Sequence, residues 1–433
     1  MPGRVPTVIV GGGIAGLMCA RALTRAGVDV MLFERENEVG GRVRTTLQNG
    51  FRIDHGFQVL FSAYPALTAA LDLPALRLQA FRPAARIALA GQATATIGDA
   101  LADASLLWPT LIAPQLSVFD KLRMLQLRYL ATSLAFDDCF AERFDRITTR
   151  AFLQQRGFSS RAISNFFAPF YGGILLDRSL ETSASVLLYT FKMLAEGRTV
   201  VPADGIGAIP SQLAAQLPAG TVRCGTAVAR LARNDTRVCG VVLHDGVTVD
   251  AAQVILACDP PTIASLAMTV QVHVDVPDAS LGCSTVYLRS KTPLLAGDAL
   301  WLNASPDATV SHAITISNVA PTYAPSGEAL TAATILGASA VLDDHELVTR
   351  VRADLTAMGG NLEAASAELL VIWRVPYSQY AQPPGSTGRR TSPATSARGL
   401  FVASEIGHTS SLEGAARGGI AAAEAVVRSA MDE

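Results

Sequence analysis

The run Thr7-Val8-Ile9-Val10-Gly11-Gly12-Gly13-Ile14-Ala15-Gly16 decides the fold. Its short apolar, β-branched opening suits a strand buried on both faces of a parallel sheet. Gly11, Gly13 and Gly16 follow in G-x-G-x-x-G spacing, and Leu17–Ala26 then reads as a helix that Gly27 terminates. Val28–Phe33 is a second apolar strand, closing on Glu34. The pattern predicts a βαβ unit. In such a unit the first glycine permits a tight turn, the second lets the backbone approach a pyrophosphate, and the third lets helix and strand pack closely. The first helical turn, with Ile14 and Ala15, aims free N–H groups and the positive dipole end at the phosphates. Glu34 stands 18 residues beyond Gly16, where a carboxylate accepts both ribose hydroxyls. An acid there disfavours a 2′-phosphorylated nucleotide, although the adjoining Arg35 leaves that point open. The competing reading is a Gly-rich turn that binds no nucleotide.

A second glycine segment follows at Glu38-Val39-Gly40-Gly41-Arg42-Val43-Arg44-Thr45. Two glycines before an arginine bring backbone N–H groups and a planar guanidinium to one pyrophosphate, because that fork binds phosphate oxygens in pairs. The alternative is a surface turn with a solvated arginine.

The rest of the chain bounds the answer. Its 433 residues are 50% hydrophobic and 17% charged, which excludes intrinsic disorder. A net charge of −2 offers no basic nucleic-acid surface. Lys121, Lys192 and Lys291 are the only lysines, so lysine chemistry has three candidates. The six cysteines show no CxxC spacing and read as buried small hydrophobes in a reducing compartment. No G-x-S-x-G or HExxH occurs, and no metal site is expected. Ala104–Phe119 is uncharged for 16 residues, short of the roughly 20 that a spanning helix needs, and Pro109 and Pro114 break it. Core packing is the expected use of Leu106–Phe119, with peripheral membrane contact the alternative. The early Gly11 turn leaves no room for a signal peptide, so a cytoplasmic protein, membrane-associated at most at its surface, is expected.

Residues 64–195 read as mostly helical, with Leu122, Leu125, Tyr129 and Leu130 at helical spacing and some strand near Ala85–Ile97. Val201–Gly207 is a Pro/Gly break before a helix over Ile209–Gln216. Strands return at Val238–Leu243 and Val247–Val249 around His244-Asp245-Gly246, a strong hairpin signal, and again at Val254–Ala257. Strands at Ser284–Leu288 and Leu330–Leu336 and a helix over Asp344–Met358 follow. Gly399–Ala403 and Gly414–Ala430 close the chain as strand and helix. The strands of one sheet therefore come from three separated stretches. The expected organisation is a discontinuous nucleotide domain from residues 1–63, 200–270 and 391–433, with a substrate domain from 64–199 and 271–390.

With Asp54-His55-Gly56-Phe57 added after GGRxxT, the sequence resembles the flavin amine oxidase superfamily, nearest its phytoene desaturase and protoporphyrinogen oxidase branch. The carboxyl end agrees, at Gly399-Leu400-Phe401-Val402-Ala403-Ser404-Glu405 and Ser411-Leu412-Glu413-Gly414-Ala415. The resemblance is firm over 1–60, 200–260 and 395–433. It implies an α/β fold, a Rossmann-like FAD domain with an inserted α+β substrate domain, and non-covalently bound FAD. It places Val228 at the adenine, Glu405 at the ribityl–phosphate region, and Gly56, Phe57 and Gln58 beside the isoalloxazine. Ser411, Leu412 and Ala415 then stand at the helix whose amino end points at the ring. Phe166–Ile174, Glu181-Thr182-Ser183 and Pro202–Gly207 are similar to the desaturase and protoporphyrinogen oxidase branch.

The departures set the substrate expectation. The amine oxidase branch has a lysine reaching flavin N5 through water, but Cys283-Ser284 stand before Val286-Tyr287-Leu288 here. Ser411 replaces one of that branch's two cage aromatics; Trp373, Tyr377 or Tyr380 is left to supply the other, and Tyr171 joins Trp373 and Tyr377 as a substrate-contact candidate. His55 and His408 adjoin the flavin motifs as structural or proton-handling residues. The expected activity is FAD-dependent dehydrogenation of a small hydrophobic, isoprenoid- or porphyrinogen-like substrate, with oxygen, a quinone or another carrier taking the electrons. No catalytic base is assigned. The alternatives are an amine oxidase and a FAD-binding protein without turnover.

Overall fold

In the computed structural model Thr7–Val10 is the central strand of a five-stranded parallel sheet, and residues 5–235 and 237–432 are described. Residues 1–4, 236 and 433 of the expected domain ranges lie outside the described residues. The strand order is Val222–Arg223, Val30–Phe33, Thr7–Val10, Gln253–Leu256, Leu400–Val402. Both faces are covered, which is why the central strands are apolar throughout. Ile9, Ile255 and Phe401 pack on the helix Ile14–Arg25 and the carboxyl-terminal helix Leu412–Asp432. Val8, Val10, Val254, Leu256 and Leu400 point the other way, onto the helix Pro260–Met268 and a three-stranded antiparallel sheet. That small sheet holds the expected hairpin: Val238–Leu243 and Thr248–Asp250 pair antiparallel around Gly246, whose φ of +88° suits glycine. The two long helices cross closely, since a Cβ on Gly419 would lie 2.3 Å from the Ala15 carbonyl oxygen. The arrangement is an α/β fold of the Rossmann-like kind.

A second, seven-stranded sheet draws on two stretches of chain, 84–98 and 280–380. Its order is Glu368–Tyr380, Ser280–Ser290, Ala329–Leu336, Val310–Thr315, Leu300–Asn303, Ala84–Ala88, Ala95–Gly98. Every pairing is antiparallel except Leu300–Asn303 with Ala84–Ala88. Val286, Leu288, Ala333 and Ile335 pack on the helix Asp344–Ala357, and the opposite face carries Tyr287, Ile314 and Ala332. Pro202–Gly207 is a clasp rather than a loose break. Ile206 N donates to Asp54 Oδ1 (3.0 Å), Gly207 N donates to Thr45 Oγ1 (2.9 Å), and Asp204 pairs with Arg52 and Arg77.

Residues 104–196 are largely helical, but their apolar surface departs from expectation. In the helix Val118–Ser133 the buried side is Asp120, Leu127 and Ala131, while Leu122, Leu125 and Tyr129 face outward. Within Leu106–Phe119 only Leu106, Ala113, Gln115 and Leu116 are buried. Leu107, Trp108, Leu111, Ile112, Val118 and Phe119 are 50–70% exposed, so core packing is not the use of most of this stretch. Helical spacing identified the helix but not which side of it is buried, because this segment is apolar on both sides. No helix among the described residues is long and apolar enough to cross a membrane.

Candidate active site

A single cavity of about 1960 Å³ runs from the carboxyl end of Thr7–Val10 to the outward-facing helices. The first glycine segment contributes Gly11, Gly13, Ile14 and Ala15, and the second strand ends in Glu34 and Arg35 on its wall. Gly40, Gly41 and Arg42, then Gly56, Phe57 and Gln58, continue the lining. Val228, Glu405, Ser411, Leu412 and Ala415 come from distant segments to the same space, as do Tyr171 and Trp373. Gly16 and Tyr377 do not line it. Gly16 is a packing residue, as a Cβ there would stand 2.0 Å from the Gly11 carbonyl oxygen. Tyr377 lies behind Arg42, whose guanidinium carbon is 5.9 Å from the ring centroid.

The glycine end is shaped for close backbone approach. Gly11 has φ +113°, and a Cβ on it would meet the Ala257 carbonyl oxygen at 2.6 Å. A Cβ on Gly13 would meet nothing within 4 Å, and one on Gly41 only the Gly13 Cα at 3.5 Å. These two glycines therefore face open space beside a helix whose amino end carries no side-chain cap. The unsatisfied N–H groups of that first turn are the partners a phosphate needs. Glu34 is buried at the rim; its Oε2 accepts from Gly12 N (2.7 Å) and its Oε1 from Glu36 N (2.9 Å). A carboxylate has about four lone-pair sites, so acceptor capacity remains. Open glycines, an uncapped helix end and a buried acid at the end of the second strand together fit a dinucleotide.

Further along, Arg42 spans the cavity wall. It donates to Glu405 Oε1 (2.5 Å) and to the Ser378 carbonyl (2.9 Å). Gln58 Nε2 donates to the Arg42 carbonyl at 2.8 Å, tying the second glycine segment to Gly56-Phe57-Gln58. Ser411 caps the terminal helix, its Oγ accepting from Gly414 N at 2.9 Å, and lies 3.2 Å from the Tyr189 hydroxyl. No cage ring stands at that position. Trp373 stacks on His55 with centroids 3.9 Å apart. Burial, then Arg44, pulls the His55 imidazole down to about 4, and burial, then Arg390 and Arg417, does the same for His408. Both rings are neutral near pH 7. Cys283 lines the cavity and contacts Ser378 Oγ at 3.2 Å. Lys121 reaches the Leu111 carbonyl, Lys192 pairs with Glu196, and Lys291 pairs with Glu328.

Sequence reading named Trp373 but missed the three residues that stand in line with it. His312, Thr334, Thr285 and Trp373 are consecutive register partners across four strands of the seven-stranded sheet. His312, Thr334 and Trp373 line the cavity, and Phe57 N donates to Thr285 Oγ1 at 3.2 Å. The only signal in the sequence was a lone histidine within an apolar strand.

Comparison with known proteins agrees with this geometry. The computed fold superposes on a protein from Exiguobacterium sp. 255-15 provisionally assigned as a protoporphyrinogen oxidase, with TM-score 0.73 and 19% identity over 98% of this chain and 99% of that one. Cyclohexylamine oxidase from Brevibacterium oxydans IH-35A superposes with TM-score 0.70 and 17% identity over 100% of both chains. At such identities the likeness is one of fold. Among curated proteins, protoporphyrinogen oxidase 2 of Arabidopsis thaliana is 38% identical over 69 residues, 16% of this chain and 14% of that protein. The 4,4'-diapolycopen-4-al dehydrogenase of Metabacillus indicus is 48% identical over 48 residues, 11% of this chain and 10% of that protein. The chain thus aligns with only a small part of the curated relatives' length. The family of flavin containing amine oxidoreductases, by contrast, matches from residue 14 to residue 427. The chain belongs to that family, whose members are FAD-dependent oxidoreductases.

Proposed function

We propose that the protein binds FAD without a covalent link and dehydrogenates a hydrophobic molecule, isoprenoid- or porphyrinogen-like. The observation that carries this reading is the continuity of one cavity from the glycine-rich end to an apolar, outward-facing helical surface. In this reading residues 1–63, 200–270 and 391–433 form the FAD domain and 64–199 with 271–390 the substrate domain. The first helix and Gly11, Gly13, Ile14, Ala15, Gly40, Gly41 and Arg42 hold the pyrophosphate. Glu34 and Arg35 hold the ribose end and Val228 the adenine. Gly56, Phe57, Gln58, Glu405, Leu412 and Ala415 enclose the ribityl chain and ring. Bound FAD supplies the two-electron acceptor, while a proton leaves a neighbouring substrate atom and a double bond forms. This chain's own part is to orient the substrate and exclude water.

The substrate end supports an apolar ligand. Phe166, Phe170, Tyr171, Ile174 and Leu194 line it, and burial of apolar substrate surface contributes about 25 cal/mol per Å². An amine cage lacks its support: Ser411 is a helix cap, and by the resemblance Cys283-Ser284 stand where the amine oxidases carry a lysine. Leu101, Leu107, Leu111 and Leu125 line the cavity and are each at least half exposed. In this reading that surface touches a membrane, and the substrate enters directly from the apolar phase.

Anaerobic mixing of the oxidised holoprotein with benzylamine, a polyamine, a carotene in detergent and a porphyrinogen tests the reading. Flavin bleaching by the apolar pair is expected. Fast bleaching by an amine, with none from the apolar pair, overturns it. Acid precipitation should release the flavin intact; flavin retained by the pellet contradicts non-covalent binding.

A further inference from the structure

One wall of the cavity is the face of the seven-stranded sheet that carries His312, Thr334, Thr285 and Trp373 in one row. Such a row is a straight polar stripe, since directly opposed residues in an antiparallel sheet share a face. The segment His55-Gly56-Phe57 lies along half of it. His55 stacks on Trp373, and Phe57 N donates to Thr285 Oγ1. The Phe57 ring meets the His312 ring edge-on, with centroids 5.4 Å apart. That leaves the His312–Thr334 half facing the cavity beside Phe57.

This half is polar and unpaired. His312 and Thr334 are both at least nine-tenths buried, and neither His312 Nδ1 nor Thr334 Oγ1 has a hydrogen-bond partner. Leaving such groups unsatisfied costs about 1–3 kcal/mol each. Gly173 crosses directly over the imidazole. A Cβ there would stand 2.7 Å from His312 Nδ1, so only glycine fits against this nitrogen. The imidazole is neutral near pH 7, because burial and then Arg178 pull it down to about 4. A neutral ring and a hydroxyl offer a donor and an acceptor but no charge of their own, and the Arg178 guanidinium that acts on the ring does not line the cavity and donates to the Asn303 carbonyl. A buried ionic group without a counter-charge is strongly disfavoured.

We propose that His312 and Thr334 form a polar niche that binds a neutral oxygen substituent, a hydroxyl or carbonyl, on an otherwise apolar substrate. The proposal rests on the reading of this cavity as the site of an apolar substrate, and it narrows that substrate from a bare hydrocarbon to an oxygen-bearing one. The niche fixes which end of an elongated molecule stands at Phe57 and so fixes which C–H bond is presented. His312 and Thr334 are binding residues in this account, and no proton transfer is assigned to them.

The experiment uses the FAD-loaded protein and four probes of one skeleton: farnesol, farnesene, farnesoic acid and farnesylamine. Dissociation constants are read from perturbation of the flavin absorbance under anaerobic conditions in the dark. The quantity of interest is the farnesol-to-farnesene affinity ratio in the wild type divided by that ratio in His312→Leu and Thr334→Val. This double ratio cancels the probes' unequal partition from water. The variants should lower the ratio by about 5- to 10-fold, the worth of one hydrogen bond of about 1–1.4 kcal/mol. Farnesene affinity and flavin content should stay unchanged, and Thr334→Ser should retain the wild-type ratio. A ratio that changes less than twofold in the combined variant overturns the proposal, as does preferential loss of farnesoic acid binding. If only farnesylamine perturbs the flavin, the apolar-substrate reading itself fails. If both neutral probes bind and the variants do not distinguish them, that reading survives and the niche does not.

Discussion

Glu34 offers the sharpest test of the nucleotide site. Its carboxylate is buried, one oxygen holding Gly12 N at 2.7 Å and the other Glu36 N at 2.9 Å. Those contacts use two of about four lone-pair sites and fix the group at the rim, leaving the rest for ribose hydroxyls. Glu34→Ala removes charge-assisted hydrogen bonds worth about 1.5–3 kcal/mol. At 1.4 kcal/mol per tenfold, FAD should bind roughly 10- to 150-fold more weakly. Glu34→Gln keeps the shape and one acceptor oxygen, so its loss should sit at the lower end. The assay is titration of apoprotein with FAD, followed by quenching of flavin fluorescence. Thermal melts with and without FAD separate binding from folding. Ligand at 100 times its Kd stabilises by about 2.7 kcal/mol, and the alanine variant at the same FAD concentration should lose roughly half to nine-tenths of that increment. The apoprotein should melt somewhat lower as well, because Gly12 N loses its partner. An FAD affinity within twofold of wild type for Glu34→Ala would remove this residue from the site.

Two further outcomes follow from the surface and the core. The stretch 101–129 carries ten strongly exposed apolar side chains; Lys121, Arg123 and Arg128 accompany them, while Asp120 is buried and Asp103, the other acid, pairs with Arg82. The protein should therefore float with vesicles containing anionic lipid, more weakly with neutral ones, and Trp108→Ser with Phe119→Ser should abolish flotation; equal flotation of the variant would sink the idea. Asp54 is buried, accepts from Thr45, Ile206 N and Tyr323, and burial pushes its carboxyl up to about 6. The folded state then holds a proton that the unfolded state has released, so this group's contribution falls as pH rises from about 4 to about 6, by an amount on the order of 3 kcal/mol. His55, His312 and His408, each pulled down to about 4, act in the opposite sense over about 4 to 6.5. The test is hence a difference: melting of Asp54→Asn against wild type should shift in the variant's favour between pH 4 and pH 7, and a pH-independent difference would refute it.

What the sequence made legible is what backbone geometry constrains. Gly11 and Gly16 are readable because a Cβ at either would collide with backbone, and Gly13 because its bare face opens on the cavity. The Asp245-Gly246 turn is readable because positive φ restricts the residue type. The direction of an apolar stripe is not readable in this way. Leu127 and Ala131 face inward and Leu122, Leu125 and Tyr129 outward from one helix, and periodicity alone marks both sides as apolar. His312 and Thr334 stayed hidden for a different reason. Their strands are buried on both faces, so no alternation separates the cavity side from the helix side. Only the pairing register, which is non-local, brings them together.

The Arg42–Glu405 pair joins these two kinds of information. Its members lie 363 positions apart, one in the second glycine segment and one after the last strand of the parallel sheet. The glycine-arginine pattern assigned Arg42 to the pyrophosphate and the resemblance assigned Glu405 to the ribityl–phosphate region, yet they meet each other. The two assignments are compatible. A guanidinium carries five N–H donors in a fixed fork. One nitrogen is engaged by Glu405 and another by the Ser378 carbonyl, which leaves donors for phosphate oxygens. Arginine entropy is large, and a side chain already held at two points loses less of it when a ligand arrives. Glu405 is itself buried and holds no other cation among the described residues, so Arg42 also neutralises a carboxylate that would otherwise repel an incoming pyrophosphate. The pair thus pre-orients the arginine and screens the acid. It does so only when the first and last stretches of the chain are folded against each other, which makes the completed sheet a condition for the proposed phosphate site.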